Sequence, residues 1–128
     1  MKLNITDTAL TALQDKVSDY HIFALILDDG SNKYSDIGGT CSIGDSYQIV
    51  ALDQVDPDFN EQLSTNSNDQ FYSTKNEFTF WGNGLTLDYT ANNFVLSDDS
   101  GVLDGAVLLK IGTNQNPNVN VQNQSARR

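Results

Sequence analysis

Ile37-Gly38-Gly39-Thr40-Cys41-Ser42-Ile43-Gly44-Asp45-Ser46-Tyr47-Gln48-Ile49-Val50 is a glycine-rich loop that runs straight into an apolar strand, and it holds the only cysteine of the chain. Glycines permit a tight, exposed backbone path that other residues resist. A lone thiol in such a loop is open to three readings: metal ligand, nucleophile or bystander. One cysteine makes no internal disulfide, so nothing points to an oxidising compartment.

The strand leaving this loop spans residues 47–52, with Tyr47, Ile49 and Ala51 on one face and Gln48, Val50 and Leu52 on the other. The segment entering it, Ile22-Phe23-Ala24-Leu25-Ile26-Leu27, reads as a buried strand stopped by Asp28-Asp29-Gly30-Ser31-Asn32. Between them, residues 28–45 read as a long loop rich in glycine and aspartate, a length that is usually functional or mobile. Upstream, one helix is expected within residues 3–20. Thr6 is its N-cap, and Ile5 and Leu10 are placed as a hydrophobic staple. Asp7 and Lys16 suit the helix dipole, and Ala9, Leu10, Leu13 and Val17 form its packing face.

Downstream, residues 60–68 read as a polar loop and residues 70–73 as a short strand. Residues 76–81 fit either a strand or a helical turn. Residues 85–89 and 94–96 pair as a hairpin across Asn92-Asn93, and residues 105–111 are the last apolar strand. The domain is therefore expected to span 1–112. The remaining 113–128 form a polar tail rich in Asn and Gln, disordered unless it docks, for instance as an added strand through Val119-Asn120-Val121.

Seventeen acidic against seven basic residues give a net charge of −10 over 128 residues, and the only two arginines are Arg127 and Arg128. Such a chain is repelled by nucleic acid and anionic membranes, so neither is an expected partner. Cations or basic protein surfaces suit it better, although acidity that serves solubility alone explains the charge equally well. The N-terminus lacks the apolar core of a secretory signal and no run is long enough to span a bilayer, so a cytoplasmic protein is expected.

Phosphate-binding, zinc-protease, Cys-x-x-Cys and nucleophile-elbow motifs are absent from the sequence. Residues 28–32 and 98–101 lack the alternating spacing of calcium loops and read as Asx turns. His21, the only histidine, reads as structural or solvated, with a ligand or acid–base role as the alternative. A Cys41–His21 enzyme would need the two side chains in contact and a cation to lower the thiol pKa. The neighbours of Cys41 in sequence supply none. No catalytic residue is assigned, and a non-enzyme is expected.

The order of these elements resembles the HesB-like family of iron-sulfur cluster biosynthesis proteins, the A-type carriers, over about residues 2–101. The opening Leu3-Asn4-Ile5-Thr6-Asp7-Thr8-Ala9 leads into a helix. Thr40-Cys41-Ser42-Ile43-Gly44-Asp45-Ser46-Tyr47 is similar to that family's Gly-Cys-Ser-Gly loop. The stretch from Phe80 to Tyr89, with the returning Phe94-Val95-Leu96, resembles its aromatic–Gly–Leu-Asp-aromatic segment. The resemblance implies a mainly β (α+β) fold, a barrel-like sandwich of mixed sheets with one N-terminal helix. It implies iron or iron-sulfur cluster binding through Cys41, with assembly or apo-target proteins, or a homo-oligomer, as partners. The carriers have two further cysteines in a C-terminal Cys-Gly-Cys. Here that region offers Asp98, Asp99 and Asp104 as the candidate metal ligands, harder donors than thiolates. The chain resembles a cysteine-poor branch of the family. The alternative is a metal-free protein-interaction module on the same fold.

Overall fold

A computed structural model of the chain describes residues 1–28, 32–34 and 46–112. Cys41 and the tail 113–128, with the expected strand through Val119 to Val121, lie outside the described residues.

Eight strands form one closed barrel, in the order β1-β4-β5-β2-β3-β8-β7-β6. In chain order the elements are β1 (Lys2–Ile5), α1 (Asp7–Val17), β2 (Ile22–Leu27), β3 (Tyr47–Leu52), β4 (Glu61–Thr65) and β5 (Gln70–Ser73). Then follow α2 (Lys75–Phe78), β6 (Thr86–Thr90), β7 (Asn93–Asp98) and β8 (Gly101–Ile111). The mainly β architecture of mixed parallel and antiparallel strands is as expected, the sandwich being a closed barrel with a second, short helix.

Closure depends on β1, which changes partner along its length. Lys2 and Leu3 pair with β4, whereas Asn4 and Ile5 pair with β6. At the switch the Asn66 side chain takes over from the ladder, accepting from Ile5 N (2.8 Å) and donating to Ile5 O (2.9 Å). A sheet that closes leaves no edge to template aggregation.

The expected helix forms, capped by Thr6, whose Oγ1 accepts from Ala9 N. Its buried face, Ala9, Ala12, Leu13 and Val17, joins the interior core with Phe23, Leu25, Tyr47, Ile49 and Phe71. Leu10 packs at the margin of that core.

β2 and β3 are buried on both faces, which the alternation of their side chains requires two coverings to achieve. Tyr47, Ile49 and Ala51 point into the barrel. Ala24, Ile26, Val50 and Leu52 form a second cluster on the outer face, under Tyr34 and Phe59.

Residues 61–65 correct the expectation of a loop over 60–68. They form β4, paired with β5 and β1, although only Leu63 among them is fully buried. One inward side chain in a polar strand leaves no periodic signal to read. Within the ambiguous 76–81 segment, residues 76–78 belong to α2, with Thr74 as N-cap: its Oγ1 accepts from the Glu77 amide and its hydroxyl donates to the Glu77 carboxylate. The last strand starts earlier than 105, at Gly101, where it pairs antiparallel with β7 through bulges.

Candidate functional site

The loop that carries Cys41 leaves the barrel at Leu27 and returns at Tyr47, which are register partners in the β2–β3 ladder. Asp28 N donates to Ser46 O at 2.8 Å and closes the neck of the loop. Three carboxylates flank this neck, and each is tied to a backbone amide or lies buried at the root of the loop.

Glu77 reaches across from α2. β5 runs parallel to β2 only as far as Ala24↔Tyr72, so the Leu27 amide has no strand to bond. The buried Glu77 carboxylate accepts that amide through Oε2 at 3.1 Å, while Oε1 accepts from the Thr74 hydroxyl. Asp104 does the same at the other side of the neck. The β3–β8 ladder begins at Gln48↔Leu108, one residue past Tyr47. Asp104 Oδ2 accepts the Tyr47 amide at 2.8 Å, and Oδ1 accepts the Ala106 amide at 2.9 Å. Asp28 is fully buried, and the Leu27 carbonyl beside it accepts from Asn32 Nδ2 (2.8 Å) and Gln48 Nε2 (3.2 Å). The Tyr47 ring packs on Trp81 at 5.8 Å.

Asp98 and Asp99 lie elsewhere, on the β7–β8 turn. Asp98 Oδ2 accepts the Gly82 amide at 2.8 Å and Oδ1 accepts the Ser100 amide at 2.8 Å. The Ser100 hydroxyl and these two amides hold the Asp98 carboxyl below the usual carboxylate range. Asp99 donates its amide to Asn83 O and sets its carboxylate against Gly84, where a Cβ would stand 2.1 Å from Oδ1. Gly84 has φ +74°, so both its backbone and its lack of side chain are used. The two aspartates clasp the 82–84 turn.

Among the described residues, no three His, Cys, Asp or Glu side chains come together as a metal-holding group. Each carboxylate oxygen of Asp98 and Asp104 accepts a backbone amide, an arrangement that fits turn and strand-end stabilisation. The donor set in one chain therefore does not fit a resident iron-sulfur cluster, which is held by several thiolates.

His21 lies at the start of β2, where Nδ1 meets Asp69 Oδ1 at 2.9 Å. The Cys41 loop departs from the opposite end of that six-residue strand, roughly 20 Å away.

A further polar cluster, missed from the sequence, lies on the outer face. Tyr34, only 1% exposed, donates its hydroxyl to Asp56 Oδ2 at 2.7 Å. Lys33 Nζ meets the same oxygen at 2.8 Å and Asp58 at 3.4 Å. The Tyr34 carbonyl accepts from the buried Lys110 Nζ. Burial pushes the Asp56 carboxyl up, but the bonds from Lys33 and Tyr34 outweigh it and hold the group below its ordinary value. Burial first, then Asp56, raises the Tyr34 phenol well above its ordinary value. The signal for Lys110 was a lone lysine within the apolar run 107–111. No local pattern marked Tyr34 or Asp56.

No helix among the described residues is long and apolar enough to cross a membrane. The sequence model for iron-sulphur cluster biosynthesis proteins matches residues 1–111. No curated protein matches the chain. Among solved structures, it is similar to a candidate Fe-S biosynthesis protein from Lactobacillus acidophilus, at 28% identity and a TM-score of 0.75, each chain covered in full. It is also similar to a candidate Fe-S biosynthesis protein from Lactobacillus salivarius, described as having a novel fold. There the identity is 25% and the TM-score 0.67, over 87% of this chain and 98% of that one. With the family's sequence model matched from the first strand to the end of β8, the chain belongs to the iron-sulphur cluster biosynthesis family.

Proposed function

We propose that this protein acts in cytoplasmic iron-sulfur cluster assembly as a non-enzymatic binding protein that contacts iron or a cluster, as cargo, only through Cys41. The cargo would be shared with a thiol of another chain, either a second copy or an assembly or apo-target protein. The observation that carries this reading is the commitment of the nominated carboxylates. Asp98 and Asp104 spend both oxygens on backbone amides or a neighbouring hydroxyl, and Asp99 packs on Gly84. With one thiol per chain, cluster ligation needs a second chain. The separation of His21 from the loop neck supports binding rather than Cys–His catalysis.

The same commitment favours a second reading, a metal-free interaction module that serves the assembly machinery. Anaerobic reconstitution with iron and sulfide, followed by size separation and iron analysis, distinguishes the two. The first reading expects chromophore in a dimeric or mixed-complex fraction of the wild type and none in Cys41→Ser. A chromophore that survives in Cys41→Ser, or that sits on a monomer, refutes it. Iron at background in every fraction, with partner complexes included, leaves the interaction module.

A further inference from the structure

β7 and β8 carry apolar side chains on the wall that faces away from the core. Phe94, Leu96 and Val107 point inward, so Val95 and Ala106 point outward. Val102 stands beside its outward partner Ser97, and at 68% it is the most exposed large apolar side chain among the described residues. Leu108, 43% exposed, shares the outer face with its β3 partner Gln48. From Val102 to Leu108 the row runs roughly 16–20 Å along β8. Scattered exposed apolar residues are ordinary, whereas a contiguous row with a polar rim marks an interaction site.

The ladder is irregular at the middle of this row. Phe94 pairs with Val107 and Leu96 with Asp104, so Gly105 and Ala106 together oppose Val95 in a β-bulge. The fold itself does not require glycine at 105. Its φ lies outside the left-handed region, and a Cβ built on it meets nothing within 4 Å. Glycine weakens a strand interior, and one use that offsets the cost is to let another backbone come close.

Charge selects the partner. Between Thr79 and Gly112 the acids are Asp88, Asp98, Asp99 and Asp104, against one lysine, Lys110, which is buried on the Tyr34 carbonyl. Asp88 is the β6 partner of Val95, Asp98 and Asp99 lie at the hairpin end beyond Val102, and Asp104 is on β8 itself. The rim therefore carries one sign of charge. A second copy, with its net charge of −10, would set like charges against like. Because the barrel is closed, a partner packs on side chains here rather than adding a strand.

We propose that the outer face of β7 and β8 docks a different protein, through a surface apolar at its centre and ringed by lysine and arginine, with Gly105 at the closest backbone approach. Leu108 pairs with Gln48, the neighbour of Tyr47 at the neck, so the partner sits beside the root of β3. That this partner exchanges cargo rests on the reading of Cys41 given above, whereas the docking face does not.

The test titrates the full-length protein, labelled with nitrogen-15, with a synthetic amphipathic peptide of leucine and lysine. Polylysine of equal charge is the comparison. Amide shifts should concentrate on residues 93–97 and 101–108, and the leucine–lysine peptide should bind more tightly than polylysine. Val102→Ser and Leu108→Ser should each weaken binding about fivefold or more. Gly105→Val should weaken it as much, while its urea midpoint stays equal to the wild type or rises. Gln62→Ala, on β4 across the barrel, should bind as the wild type does. Equal affinity for the two peptides overturns the proposal, as do shifts centred on another wall. Wild-type affinity in the serine variants or in Gly105→Val also overturns it. A dimer of the protein alone that is lost in Val102→Ser and Leu108→Ser gives the face to a second copy, and so refutes a different partner. None of these measurements involves iron, so failure of the cluster assay and failure of this docking face are separate results.

Discussion

Asp104 separates a ligand from a strand-end acceptor, and Asp104→Ala tests which it is. Removing the carboxylate takes the acceptor from the Tyr47 amide (2.8 Å) and from the Ala106 amide (2.9 Å). Hydrogen bonds to charged groups contribute about 1.5–3 kcal/mol net when shielded. The Ala106 amide is exposed and regains water, so its loss costs little. The Tyr47 amide is partly buried, at the mouth of the loop, and carries most of the penalty. The expected loss is therefore about 1.5–2.5 kcal/mol, or a fall in Tm of roughly 5–12 °C for a domain of this size. Asp104→Asn retains one acceptor oxygen and should lose about half as much. Urea unfolding followed by fluorescence is a suitable assay, because the single tryptophan, Trp81, packs on Tyr47. Iron uptake on reconstitution should be unchanged in the folded variant. A variant as stable as the wild type that loses iron would make Asp104 a ligand and sink the argument.

Three further outcomes follow from individual contacts. Asp88 accepts from Thr6 Oγ1 (2.7 Å), the Tyr89 amide (2.8 Å) and Thr8 Oγ1 (3.0 Å), which hold its carboxyl below the ordinary value. A depressed folded-state pKa stabilises above the unfolded value of about 4 and loses that contribution as pH falls through the folded value. The acid limb of the stability curve should flatten in Asp88→Asn, and an identical limb would contradict this role. Ala91 and Asn92 both have positive φ, 53° and 66°, in the turn between β6 and β7. Ala91→Asn should raise stability by about 0.5–1 kcal/mol, because asparagine tolerates this region and alanine does not. A lower urea midpoint would refute the turn assignment. Glu77→Ala leaves the buried Leu27 amide and the Thr74 hydroxyl without their acceptor, and should cost about 2–3 kcal/mol. Glu77→Gln, which keeps an acceptor, should cost less, and equal losses would show that the carboxylate is not the acceptor that counts.

The sequence by itself determined the elements that bury a periodic face. β2 and β3 were legible because their apolar runs are bounded by turn residues, and α1 because Thr6 and its spacing obey capping rules. It also determined the limit on cluster chemistry, since one thiol cannot multiply on folding. β4 was not legible, because a strand with one buried side chain carries almost no pattern. The site was legible only in part. Asp98, Asp99 and Asp104 read as candidate metal ligands in the sequence. The tertiary structure presents each with a backbone segment from elsewhere: Gly82 to Asp98, Gly84 to Asp99, Tyr47 to Asp104. The reason is general. A carboxylate's local sequence fixes its charge, but its partners come from strand ends left unpaired by the ladder, and those are set only when the barrel closes. Tyr34 makes the same point, for its hold on Asp56 and Lys110 spans twenty-two and seventy-six residues.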